Sequence, residues 1–182
     1  STSPPSCGTL ALAVTPRTSP GVPPFYMMAF AVGGTPVTSF IGTNASALEW
    51  TVSHPVGTQL LLGVVDSRGT SGGIDAPLYT VVAGESTQCL PAPDTRPAFT
   101  VTANATGTLA TCAPWRLAIA GGTPPYNVTL AAGNSSDVTN VTLGPVDSVF
   151  TYINRADPGS PMIGASRSGR WASGTPLVTT AG

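Results

Sequence analysis

Apolar residues along this 182-residue chain fall in short runs bounded by Gly, Pro, Asn and Ser. The runs recur roughly every ten residues, the spacing of strands in a sandwich or barrel. Nowhere do they repeat at i, i+3, i+4, i+7 over three turns, so no helix is expected. Leu48, Trp50 and Val52 alternate with Glu49, Thr51 and Ser53, and Trp115, Leu117 and Ile119 alternate with Arg116 and Ala118. Each segment reads as a strand with one buried face. In the first half the pattern predicts strands near 8–14, 25–32, 36–41, 47–53, 58–66 and 75–83. Asp66-Ser67-Arg68-Gly69 reads as a hairpin turn with Gly in the left-handed position.

The pattern occurs twice. Gly21-Val22-Pro23-Pro24-Phe25 resembles Gly122-Thr123-Pro124-Pro125-Tyr126, and Trp50-Thr51-Val52 aligns with Phe150-Thr151-Tyr152. Ser67-Arg68-Gly69 falls opposite Arg167-Ser168-Gly169, and Ala76-Pro77-Leu78-Tyr79-Thr80 opposite Thr175-Pro176-Leu177-Val178-Thr179. The matches keep their order, which indicates a duplication of units the size of a small sandwich. The expected architecture is all-β: two tandem immunoglobulin-like β-sandwich domains at 1–90 and 98–182. The Pro-rich linker at 91–97 is expected to hold them in an extended, semi-rigid tandem.

Composition narrows the partners. Hydrophobic residues make up 41% of the chain, enough for packed cores, and charged residues only 8%. The seven basic residues are all Arg, scattered singly from Arg17 to Arg170, and the net charge is −1. This gives no electrostatic footprint for nucleic acid or an anionic membrane, and no stretch reads as a membrane span. Solubility must come from Ser, Thr and attached sugar. The first residue, Ser1, suggests a processed product.

Five of the six Asn residues open an N-x-Ser/Thr sequon: Asn44, Asn104, Asn127, Asn134 and Asn140. Ser and Thr are about a quarter of the chain, so chance would give roughly one or two. Alternation in Tyr126-Asn127-Val128-Thr129-Leu130 places Asn127 and Thr129 on the face opposite the apolar residues, the solvent side. Passage through a secretory pathway and an extracellular or cell-surface location follow as expectations. O-linked sugar is also expected around Thr15, Thr18 and Ser19, where Pro16 and Pro20 keep the chain extended.

Three cysteines leave one unpaired. Cys7 precedes the first strand and Cys89 follows the last strand of the first repeat, so Cys7–Cys89 is the expected disulfide. Cys112 takes the place of Cys7 in the second repeat, and its partner would fall beyond Gly182. It is unpaired in this chain.

The sequence offers little catalytic chemistry. His54 is the only histidine, and no Cys-x-x-Cys occurs, so no metal or other cofactor is expected. His54 aligns with Asn154, and a loop-facing polar residue explains both better than a Ser-His-Asp triad does. The eight acidic residues are scattered over turns, outward strand faces and connections, with no pair facing a cleft. Trp171, beside Arg170, has no aromatic counterpart in the first repeat. It is read either as packing on the neighbouring domain or its own loop, or as an exposed contact for sugar or a neighbouring subunit.

Trp115, Gly121-Gly122-Thr123-Pro124-Pro125-Tyr126, Val141-Thr142-Leu143-Gly144-Pro145, the run Phe150 to Asp157 and Gly169-Arg170-Trp171-Ala172 together resemble a group of extracellular or membrane-anchored proteins of mushroom-forming (basidiomycete) fungi. The resemblance implies two β-sandwich repeats, each closed by a Cys pair, often followed by a Ser/Thr-rich stalk and a membrane segment. It carries over no catalytic residue. The expected function is that of a secreted, heavily N-glycosylated structural surface protein that self-associates head-to-tail into a fibre. The alternative is an adhesin-like ectodomain that binds glycan or another ligand without catalysis.

Overall fold

The computed structural model of the chain describes residues 3–15 and 20–182, so the expected O-glycan acceptors Thr18 and Ser19 lie outside the described residues. Among the described residues the chain forms sixteen strands and no helix. The first half contributes β1 (Thr9–Leu12), β2 (Phe25–Ala31), β3 (Val37–Gly42), β4 (Leu48–Thr51), β5 (Gln59–Val65), β6 (Ser71–Ile74) and β7 (Tyr79–Thr80). The second contributes β8 (Phe99–Ala103), β9 (Gly107–Ala110), β10 (Pro114–Gly121), β11 (Asn127–Ala132), β12 (Thr139–Thr142), β13 (Val149–Ile153), β14 (Pro161–Ser168), β15 (Arg170–Trp171) and β16 (Leu177–Ala181).

Each half builds its own sheets. In the first, β1 pairs with β4, facing a sheet of order β3-β2-β5-β6 to which β7 adds through β5. In the second, β13-β10-β8 faces β12-β11-β14-β16-β9, with β15 on β14. The pairings are antiparallel except that β9 runs parallel to β16. Two features repeat: the aligned Pro23-Pro24 and Pro124-Pro125 bonds are both cis, and Cys7 and Cys112 both have positive φ, at 58° and 63°.

Pairing corrects the alignment of the repeats. Trp115 lies opposite Tyr152 and Leu10 opposite Trp50, so the counterpart of Trp50 is Tyr152, not Phe150. Likewise Cys7 N–H donates to Val52 O as Cys112 N–H donates to Asn154 O, so Asn154 matches Val52 and not His54. The slip is two residues. Because side chains alternate with period two, it leaves every inward residue facing inward.

Three buried clusters show four sheets stacked in layers. Phe25, Met27, Ala29, Leu48, Trp50 and Leu60 fill the first half, and Val101, Trp115, Leu117, Val128 and Met162 fill the second. The third cluster joins the halves: Phe30 and Leu61 on the outer face of the β2–β5 sheet meet Ala131, Ile163 and Ala165 on the outer face of the β11–β14 sheet. Gly33 N–H also donates to Thr175 O, and Ile74 N–H to Ser135 O. The expected extended tandem is therefore corrected. The inner sheets are apolar on both faces, and leaving Phe30, Leu61 and Ile163 in water would forfeit roughly 1.5–3 kcal/mol for each side chain, so the halves pack against one another.

Candidate functional site

The amide nitrogen of a sequon Asn is the atom that would carry sugar, so its freedom decides what each site can hold. Asn44 is exposed in the turn after β3; only its Oδ1 is engaged, accepting the Ser46 N–H at 3.1 Å. Asn134 is exposed at the end of the β11–β12 hairpin, with φ of 62°. Asn104, exposed after β8, accepts the Arg116 N–H on Oδ1 at 2.8 Å and donates from Nδ2 to Pro114 O at 3.4 Å.

Asn127 and Asn140 are interlocked. They sit on neighbouring strands with Asn127 opposite Thr142 and Thr129 opposite Asn140. Asn127 Nδ2 donates to Thr142 Oγ1 at 3.3 Å, and Thr129 Oγ1 donates to Asn140 Oδ1 at 2.7 Å. Asn140 thus keeps its Nδ2 clear on an exposed residue, whereas Asn127 is half-buried with Nδ2 engaged. Thr129 is buried, which corrects the expectation that this face is open to solvent. Ala131, two residues further on the same face, belongs to the cluster between the halves.

Cys7 and Cys89 are disulfide-bonded with Cα atoms 5.5 Å apart, joining the start of the first half to the segment after β7. Cys112 is exposed and has a free thiol.

The polar residues weighed for catalysis have other surroundings. His54 is buried, not loop-facing, and among the described residues neither ring nitrogen has a partner. Burial pushes its pKa below the ordinary value because the charged ring would lose its water. Asn154 is also buried, its Nδ2 donating to Leu109 O and Ala110 O, both at 3.1 Å. Asp66 accepts N–H groups from Val22 at 3.0 Å and from Arg68 and Thr70 at 2.9 Å. These bonds, that from Val22 foremost, hold its carboxyl below the usual range and pin the hairpin whose left-handed residue is Gly69. Among the described residues no three His, Cys, Asp or Glu side chains group as a metal site requires.

Trp171 and Arg170 face inward contacts. The Trp171 ring meets Phe30 edge-on at 5.9 Å, lies under the Arg167 guanidinium, and donates from Nε1 to Thr38 Oγ1 at 3.1 Å. Arg170 lies over the Phe99 ring, bonds Pro97 O and pairs with Asp94 at 3.2 Å. Together they tie the first half and the connecting segment to the second half.

A cleft of about 540 Å³ on the flank of the first half had no signal in the sequence pattern. It is lined by Leu12, Val14, Met27, Trp50, Leu62 and Tyr79 among others. Tyr79 Oη donates to Asp75 within it, and burial followed by that carboxylate pushes the phenol up to about 12.

No protein-family model matches the chain, and no curated protein matches it.

Proposed function

We propose that the chain is a secreted, N-glycosylated surface protein without catalytic activity, built from two immunoglobulin-like β-sandwiches at 1–90 and 98–182 joined through 91–97. The observation that carries the reading is the placement of the sequons: Asn44, Asn104, Asn134 and Asn140 are all exposed. Sugar at these positions would offset a surface with few charges. The disulfide fits an oxidising compartment. The fold assignment is supported by the facing sheets β13-β10-β8 and β12-β11-β14-β16, closed by a parallel β9.

The role is structural: a rigid, sugar-coated building block of an extracellular assembly. Because the halves pack side by side and not end to end, assembly rests on sheet edges. The competing ligand-binding reading drew on Trp171, whose ring is spent on Phe30 and Thr38. Light scattering and electron microscopy on protein purified from its source test the proposal. Assemblies much heavier than one glycosylated chain are expected. A mass equal to one chain at every concentration, with no assembled particles in the starting material, refutes the structural role.

A further inference from the structure

The two halves differ at one turn. Tyr26 pairs with Val65 as Asn127 pairs with Arg167, and both pairs follow an aligned cis proline bond. The next residue along, Asp66 in the first half, therefore corresponds to Ser168 in the second. The aligned prolines likewise make Val22 the counterpart of Thr123. In the first half the Asp66 carboxylate fastens two loops together. One oxygen accepts the Val22 N–H at 3.0 Å, and the other accepts those of Arg68 and Thr70, both at 2.9 Å. The second half has no carboxylate there. Ser168 donates its hydroxyl to Thr123 O instead, and among the described residues the Thr123 N–H has no acceptor. The turn is also tighter: Asp66 N–H donates to Thr70 O across Ser67, Arg68 and Gly69, whereas Ser168 pairs with Arg170 across Gly169 alone.

A cavity of about 360 Å³ lies at this turn, walled by the Gly122-Thr123 loop, the Ser168-Gly169-Arg170 turn and the Arg96-Pro97 segment. Two guanidiniums therefore border the place where the first half keeps its carboxylate. Arg96 and Arg170 share a single acid, Asp94, at 2.8 and 3.2 Å, so one positive charge is left over beside the unpaired N–H. Arg170 is held in position by Pro97 O and by the Phe99 ring. The Arg96 side chain is 61% exposed and can turn toward an incoming group.

We infer that the second half binds a carboxylate supplied by a ligand, at the position that Asp66 fills in the first half. The carboxylate accepts the Thr123 N–H and is neutralised by Arg96 and Arg170, whose planar forks match its two oxygens. The rest of the lining is main chain, the Thr123 and Ser168 side chains and one proline ring, which suits a hydroxyl-rich body and not an apolar one. The volume falls at the lower end of the roughly 300–1,000 Å³ of small-molecule sites, so the ligand is a compact hydroxy acid. A uronic acid has both parts. The inference rests on the comparison of the halves and not on the structural role proposed above.

The full chain is titrated with sodium glucuronate at low ionic strength and followed by amide NMR. Saturable binding with a downfield shift of the Thr123 N–H is expected. Glucose and the methyl ester of glucuronate, which lack the charge, should not bind. Arg96→Ala removes an exposed side chain and should weaken binding about tenfold, the worth of one charge-assisted contact. Arg155→Ala, outside the cavity, should leave binding unchanged. Ser168→Asp restores the carboxylate of the first half, so it should abolish binding and shift the Thr123 N–H downfield with no ligand present; should that variant fail to fold, Arg96→Ala decides. No saturable binding at millimolar glucuronate overturns the inference, as does equal binding by the ester or by Arg96→Ala. Tighter binding of acetylglycine, which carries the carboxyl terminus of a peptide, overturns the assignment to a sugar acid.

Discussion

Replacing Phe30 with Ala tests the stacking of the halves. Phe30 is 1% exposed and sits on the face of β2 that points away from the core of its own half. Its neighbours in the buried cluster include Leu61, Ile163 and Ala165, and its ring meets Trp171 at 5.9 Å. Truncating a buried Phe costs about 3–5 kcal/mol in lost transfer and cavity terms. For a cooperative unit of this length, each kcal/mol lowers the thermal midpoint by about 2–4 °C. The expected drop is therefore about 6–20 °C by scanning calorimetry, with a red shift of tryptophan emission as Trp171 gains water. Were the halves held apart by the linker, residue 30 would face solvent and the change would stay within about 0.5 kcal/mol. A midpoint lowered by less than about 2 °C, with emission unchanged, refutes the packing.

Further outcomes follow from single residues. The Asp66 carboxyl is held below its ordinary value in the fold, so its contribution is present above the unfolded pKa near 3.8 and is lost as pH falls through the lower folded value. Asp66→Ala should lower the midpoint at pH 7 and flatten the acid limb; an unchanged acid limb contradicts the three N–H bonds. The His54 pKa is also depressed, here by burial, so the folded state binds fewer protons below the ordinary 6.5 and stability falls from pH 7 toward pH 5. His54→Gln should reduce that slope, and an identical slope argues against a buried ring. Cys89→Ser opens a loop with a sequence separation of 82 residues, worth about 4 kcal/mol in the chain-entropy model. A midpoint equal to that of the unaltered protein in denaturant unfolding contradicts the bond.

Alternating segments were the legible part of this sequence. Leu48 to Val52 and Trp115 to Ile119 put the expected residues inside, and the Cys7–Cys89 pairing followed from the repeat. The stacking of the halves was legible but unread: Phe25 to Val32 is apolar at every position, and a strand apolar on both faces is covered on both. β6, Ser71-Gly72-Gly73-Ile74, was not expected, because two glycines give no face to read. The strand expected over 75–83 shrinks to Tyr79–Thr80. His54 and Asn154 are buried because tertiary contacts cover them, Asn154 by capping the carbonyls of Leu109 and Ala110. The cleft beside β1 left no mark on the pattern, since Leu10, Leu12 and Val14 alternate there as they would in a closed core.

The proposed sugar coat on this surface can be read out directly. Enzymatic release of N-glycans in heavy-oxygen water, followed by peptide mass spectrometry, reads it directly, because each occupied Asn becomes labelled Asp. Conversion is expected at Asn44, Asn104, Asn134 and Asn140, least at the half-buried Asn127, with a native mass well above the 18.2 kDa polypeptide. Conversion at fewer than two of the five positions, in protein taken from its source, contradicts it.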